Sequence, residues 1–266
     1  MRYAGLLAVL LTNLSLAAAP ELPSTIRLSN GEWPPFTSAQ LPHGGGLSRI
    51  VSEAFANEGF TVRYEWYPWK RALEIAKVVS VEGTAGWTLS PERQRDFLHS
   101  DPITQVRVVF FKRSSFQFDW TGKEQLTRYK IGITHGYNYG DAYLDLLARQ
   151  ALKPEVDYTD EANLTSLAAG RLDLFLVTPE VGLYLANRLN LHGLDYAKTP
   201  LTAGSSVHLL VSRRHPQARS LLEHFNRGLA KLKVAGKIDA YLQEASITPT
   251  HADPSKVGSE PTVKTP

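Results

Sequence analysis

The sequence predicts an α/β protein of two lobes, each a small sheet flanked by helices, with a ligand cleft between them. Three observations carry this prediction. Residues 26–87 read as a β-α-β-α-β series, and a second α/β series opens at Lys130-Ile-Gly-Ile-Thr134. Val81-Glu-Gly83 and Gly170-Arg-Leu-Asp173 are similar helix-to-strand turns, one in each series. Two such units meeting face to face leave a crevice, the natural place for a small ligand.

The elements follow in order. Ile26 to Asn30 is a short strand that ends in a turn at Gly31. Leu47, Ile50, Val51, Ala54 and Phe55 fall on one helical face, with Gly59 where a C-terminal cap belongs. Thr61 to Trp66 is a β-branched and aromatic strand, and Pro68 suits the first turn of a helix carrying Trp69, Ala72, Leu73 and Ala76. Val81 to Trp87 is the third strand, and Val106 to Phe111 a strong fourth. Strand Lys130–Thr134 precedes a helix near 141–151, a helix around 161–169, strand Leu172–Val177 and a helix over 181–189. Strand Val207–Val211 and helices near 218–232 and 237–244 complete the folded part, roughly 24–246.

Both ends read differently. Residues 1–19 combine Arg2, an apolar run from Leu6 to Leu11 and the small-residue pair Ala17-x-Ala19, the pattern of a cleaved export signal. The run is too short and too interrupted by Thr12, Asn13 and Ser15 to span a membrane. The last twenty residues, rich in Pro, Ser and Thr, bury too little apolar surface to offset their ordering entropy. The expected organisation is therefore a signal peptide at 1–19, a first lobe from 24–113 with 204–246, a second lobe from 114–203, and a disordered tail at 247–266.

Composition narrows the chemistry. Of 266 residues 43% are hydrophobic, enough to bury a core, and 29 basic against 26 acidic residues leave a charge of only +3, so nucleic acid is not the expected partner. Cysteine is absent, which removes disulfides, thiol nucleophiles, cysteine-ligated metals and lipid-modified cysteine anchors. The eight histidines form no metal-ligand spacing, and no G-x-S-x-G elbow is present. Gly44-Gly-Gly46 lacks the following Gly-Lys-Ser/Thr of a phosphate loop, so a flexible turn explains it. Asp157, Asp160 and Glu161 read as a solvated charge cluster at a helix start. Neither metal nor cofactor is expected.

Open α/β sheets bind ligands at the carboxyl ends of their strands, which directs attention to four loops. After the first strand, Glu32-Trp33-Pro34-Pro35-Phe36 puts an acid and two aromatics on a loop that paired prolines should keep extended and stiff; the aromatics serve either as ligand walls or as core cover. Trp66, Tyr67 and Trp69 are more aromatics than one core face accommodates. In Ala85-Gly86-Trp87-Thr88-Leu89-Ser90-Pro91-Glu92-Arg93 the small residues admit a ligand to the backbone, Thr88 can donate to an anion, and Arg93 offers a planar fork for a carboxylate; an ordinary capped turn with a surface arginine fits the spacing equally well. In the second lobe, Tyr137 and Asn138 lie in a loop leading to a helix start, and Thr178-Pro179-Glu180 reads as a helix cap with a first-turn acid.

Taken together, the Asn-Gly-Glu-Trp-Pro-Pro-Phe opening, the Gly-Trp-Thr-Leu-Ser-Pro-Glu-Arg-Gln segment with Ser100-Asp101-Pro102, and Ala-Ala-Gly-Arg-Leu-Asp at 168–173 resemble the family 3 extracellular solute-binding proteins. These are the polar amino-acid-binding components of ATP-binding-cassette importers, and the resemblance covers about 24–246. It implies a type II periplasmic-binding-protein-like fold that closes around its ligand. It implies that Arg93 grips a ligand carboxylate, that Thr88 stands at a ligand-binding Ser/Thr position, that Trp33 is the first-loop aromatic, and that Tyr137 and Asn138 lie in a carboxylate-contacting loop. Glu32, Phe36, Trp69, Gly86 and Trp87 complete the first-lobe candidates, with Thr178 and Glu180 in the second.

One position departs from the family. The aspartate that usually holds a ligand ammonium is Thr178 here, which leaves Glu32 or Glu180 as substitutes or the ammonium site lost. The resemblance further implies a periplasmic, untethered monomer without catalysis, delivering a small polar carboxylate-bearing ligand to an inner-membrane ABC permease or to a sensor receptor. Periplasmic cyclohexadienyl dehydratases also resemble this family, so an enzyme with Glu180 or Glu32 as general acid is the alternative.

Overall fold

The computed structural model describes residues 22–122, 126–202 and 204–247. The expected signal peptide and nearly all of the expected tail lie outside the described residues. In chain order the elements are β1 (Thr25–Asn30), α1 (Gly46–Ala56), β2 (Thr61–Trp66), α2 (Trp69–Lys77), β3 (Gly83–Thr88), α3 (Pro91–Asp96), β4 (Phe97–His99), β5 (Thr104–Val106) and β6 (Val109–Arg113). They continue with β7 (Ile131–Thr134), α4 (Asp141–Ala148), β8 (Pro154–Asp157), α5 (Asp160–Ala168), β9 (Leu174–Val177), α6 (Pro179–Arg188), β10 (Leu194–Tyr196), β11 (Ser205–Ser212), α7 (Ala218–Val234) and α8 (Lys237–Ile247). Among the described residues no helix is long and apolar enough to cross a membrane.

Two mixed sheets form two lobes. The first has the order β2-β1-β3-β11-β4, with β5 also on β11; the second has the order β10-β6-β9-β7-β8. Parallel pairing of β1 with β2 and β3, and of β7 with β8 and β9, reflects the β-α-β crossovers read in the sequence. The apolar face of α1 is buried as its spacing requires, Leu47, Ile50, Val51 and Ala54 being fully inaccessible. It packs on α7, where Gly228 sits directly on the Ala54 carbonyl and leaves no room for a β-carbon. A continuous core runs from Ile26 and Phe225 in the first lobe to Phe111, Phe175 and Val181 on one face of the second sheet. The other face of that sheet has its own core around Phe110, Trp120, Leu126 and Ile131.

The run Val106–Phe111, expected as one strand, is broken at Arg107-Val108. Its first half pairs with β11 in the first sheet, while β6 pairs with β9 and β10 in the second. Residues 109–113, placed before the expected lobe boundary at 113, therefore pair in the second sheet. Val106 and Val109–Phe111 are buried on either side of exposed Arg107, and one charged residue within a β-branched and aromatic run does not by itself mark where the chain changes sheets. The return crossing lies between β10 and β11, and the two crossings are tied together. Leu201 N donates to the Val108 carbonyl at 2.8 Å, and Val108 N donates to Thr202 Oγ1 at 3.1 Å. Pro68 is the residue before α2 rather than in its first turn. Helix α8 extends to Ile247, one residue into the expected tail.

Candidate functional site

A cleft of about 800 Å³, its open mouth included, lies between the two sheets at the ends of β3, β7 and β9 and beside both crossings. The first-lobe wall is Trp33, Trp69, Gly86, Trp87, Thr88 and Arg93; Val106, Val108 and Ser205 flank the crossings; the second-lobe wall is Gly136, Tyr137, Asn138, Tyr139, Val177 and Thr178. Nine of the sequence candidates thus line one cavity: Trp33, Trp69, Gly86, Trp87, Thr88, Arg93, Tyr137, Asn138 and Thr178.

Local structure explains how the first-lobe wall is built. Between β3 and β11 the register skips Gly86: His208 faces Trp87 and Leu209 faces Ala85. Gly86 takes a φ of +89°, a left-handed conformation favouring glycine, and forms a bulge that re-aims the following residues. Trp87 and Thr88 consequently reach the cleft. Ser90 then caps α3, its hydroxyl accepting from Arg93 N at 3.2 Å with Pro91 in the first turn. This cap brings the Arg93 side chain back over β3. Its Nη1 donates to the Thr88 carbonyl at 2.7 Å and to Thr88 Oγ1 at 3.2 Å, and its guanidinium lies 4.7 Å from the Trp87 ring centre. Burial pulls the Arg93 pKa below its ordinary value, with the neighbouring Glu92 opposing that shift. The interactions that hold Arg93 are neutral, and they leave part of its fork turned to the cleft.

Trp69 is fixed from three sides. Its indole Nε1 donates to the Glu32 carbonyl at 3.0 Å, its ring meets Trp87 edge-on at 5.0 Å, and its ring lies against Gly31, which has no room for a β-carbon. The Trp33–Phe36 loop is a tight reversal, not the extended segment expected from its prolines. Phe36 N and Thr37 N both donate to the Trp33 carbonyl, and the Pro34–Pro35 peptide is cis. Phe36 is 4% exposed and stacks under Trp33 at 4.3 Å, so it supports the wall from behind without lining the cavity. Glu32 and Glu180 do not line it either. Glu32 is exposed, its carboxylate accepting from Ala39 N at 2.9 Å. Glu180 is exposed on the first turn of α6. Thr178 precedes α6 as its N-cap residue, yet its side chain makes no capping hydrogen bond.

The second-lobe wall rests on a buried acid. Asp160, expected as part of a solvated cluster, is only 6% exposed; the β7 end folds over it. Thr134 Oγ1 and Tyr137 OH donate to its two oxygens, Asn163 Nδ2 donates to Thr134 Oγ1 at 3.2 Å, and Thr134 N donates to Tyr139 OH at 2.7 Å. Burial lifts the Asp160 carboxyl to about 6, against the hydrogen bond from Thr134, and pushes the Tyr137 hydroxyl well above its usual value. Tyr139, Gly136, Val106, Val108, Val177 and Ser205 were not singled out from the sequence. Gly136 and Tyr139 adjoin residues that were, whereas the valines and Ser205 carry no chemical signal and reach the cleft only because the chain crosses there. Among the described residues no group of three His, Asp or Glu side chains is placed to hold a metal.

No family model and no curated protein matches the sequence. Solved structures do match its shape. One is a histidine kinase sensor domain with similarity to periplasmic binding proteins, 22% identical over 83% of this chain and 95% of that one, with a TM-score of 0.68. Another is an ancestral arginine-binding protein bound to arginine, 18% identical over 84% and 99%, TM-score 0.69. A third is an ancestral amino-acid-binding protein that is a precursor of cyclohexadienyl dehydratase, 17% identical over 83% and 94%, TM-score 0.63.

Proposed function

The chain has the two-lobed fold of periplasmic binding proteins, and from that premise we propose that it is an exported solute-binding protein. In this reading it captures a small carboxylate-bearing ligand in the interlobe cleft, without catalysis, and presents it to an ABC permease in the inner membrane. Arg93 carries the reading. It is a partly buried guanidinium on the cavity wall that, among the described residues, pairs with no acid, so an anionic group is the partner its charge calls for. Thr88, Thr178, Ser205 and Asn138 supply neighbouring hydrogen-bond groups, and Trp33 and Trp69 supply walls.

The lobes in this reading are 22–106 with 205–247, and 109–122 with 126–201. The crossings at Arg107-Val108 and beside Thr202 serve as the hinge, so Val106, Val108 and Ser205 let a ligand touch the hinge directly. Amino-acid-binding neighbours of the same fold support the ligand class. The dehydratase alternative needs an acid in the cleft, and the two residues weighed for that role, Glu32 and Glu180, lie outside the lining. The test is calorimetric titration of wild type and Arg93→Ala with a panel of amino acids, amines and small carboxylates. Saturable one-to-one binding of a carboxylate that weakens with Arg93→Ala supports the reading, and binding indifferent to Arg93 counts against it.

A further inference from the structure

We propose that the cleft selects a monocarboxylate carried on a flat apolar body and lacking an ammonium group, such as an aryl-alkanoate, over α-amino acids; this deepens the solute-binding reading and rests on it. The lining holds one charged side chain, Arg93, and no aspartate or glutamate among the described residues. One fixed cation matches one carboxylate. An α-amino acid would add an ammonium with three N–H donors to a site that has no anion to receive it, a desolvation loss the site does not repay.

The acids near the lining all lie outside it, Glu92 being exposed on the first turn of α3. Glu32 is exposed on Ala39 N, and Glu180 is exposed on α6. Asp160 lies beneath Tyr137, already accepting from Tyr137 and Thr134. The aromatic wall points the same way, because the polar ends of four of its side chains bond within the protein. Trp69 Nε1 bonds the Glu32 carbonyl, Trp87 Nε1 bonds Thr84 Oγ1 at 2.8 Å, Tyr137 OH bonds Asp160, and Tyr139 OH accepts from Thr134 N. What these four side chains offer a ligand is hydrocarbon, joined by Val106, Val108 and Val177. The spare polar capacity is mostly donating: Asn138 Oδ1 is taken by Gly140 N, which leaves its amide N–H groups, and Arg93 retains free N–H groups. Donors beside an apolar wall suit a carboxylate on a ring.

The test is calorimetric titration of the full chain, dialysed free of carried-over solutes, with matched pairs: 3-phenylpropionate against L-phenylalanine, and indole-3-propionate against L-tryptophan. L-arginine, L-glutamate and glycine betaine complete the panel. The ammonium-free acid of at least one pair should bind about tenfold or more tighter than its amino counterpart. Thr178→Asp places an acid on the wall at an N-cap, where aspartate is well tolerated. It should weaken the ammonium-free acid and strengthen the amino acid. Tighter or equal binding of an amino acid or of betaine by wild type overturns the inference and, if Arg93-dependent, leaves the solute-binding reading standing. No binding in any arm overturns both.

Discussion

Arg93 Nη1 sits 2.7 Å from the carbonyl oxygen of Thr88, the last residue of β3, so the cleft's one charged side chain is anchored to backbone and not to an acid. Neutral anchoring orients the fork without cancelling its charge. Replacing Arg93 by alanine should lower carboxylate affinity by roughly 10- to 100-fold, the worth of a charge-assisted hydrogen bond. Arg93→Lys should recover only part of this, since an ammonium cannot make the planar pair. The thermal midpoint of ligand-free Arg93→Ala should equal or exceed that of wild type, because burial already disfavours the charged form. Calorimetry and thermal melts read the two effects separately.

Gly31 tests the aromatic wall without touching its residues. A β-carbon there would overlap the Trp69 indole, so Gly31→Ala should displace the ring and break its bond to the Glu32 carbonyl. Loss of about 1–3 kcal/mol in stability is expected from such overpacking. Ligand affinity should fall together with a red shift and a lower intensity change on binding in tryptophan fluorescence. Unchanged affinity would remove Trp69 from the wall.

Asp160 sets a pH signature. Its carboxyl is raised in the folded protein to about 6 by burial. Between the unfolded carboxylate range and 6 the folded state therefore holds more protons than the unfolded state. Stability from this group is full below about pH 4, declines as pH rises, and levels off above the folded value, a change of roughly 2–3 kcal/mol. Asp160→Asn carries no charge at any of these pH values. The stability of wild type relative to this variant, from urea melts at pH 4 to 7, should fall and then flatten near 6.5. A constant difference would contradict the assignment.

Gly228 separates folding from binding. A side chain there would drive α7 away from the Ala54 carbonyl of α1. Gly228→Ala should cost about 2 kcal/mol, packing strain outweighing the helix-propensity gain. Ligand affinity measured well below the melting temperature should match wild type, because the contact is remote from the cleft lining.

Much of this was legible in the sequence because local chemistry and tertiary role agree. The 3.6-residue spacing of Leu47 to Phe55 became the buried face of α1, and the Gly86-to-Arg93 segment became the bulge, cap and cleft wall. Short elements were less legible: β4, β8 and β10 hold three or four residues each, too few for a period to show. The break at Arg107-Val108 showed only as one exposed arginine among β-branched and aromatic residues, a pattern that an unbroken strand also gives. Phe36 and Asp160 illustrate the remaining limit. An aromatic on a loop and an acid at a helix start have the same local pattern whether buried or exposed, and only the turn at Pro34–Pro35 and the β7 end folded over Asp160 decide between them.

Native mass spectrometry of freshly purified wild type and Arg93→Ala reads directly what the cleft holds and whether Arg93 holds it. Wild type should carry a small acid in one-to-one ratio, identifiable by its released mass, and Arg93→Ala far less of it. A neutral or purely cationic ligand in wild type, or equal occupancy in both proteins, would contradict that expectation.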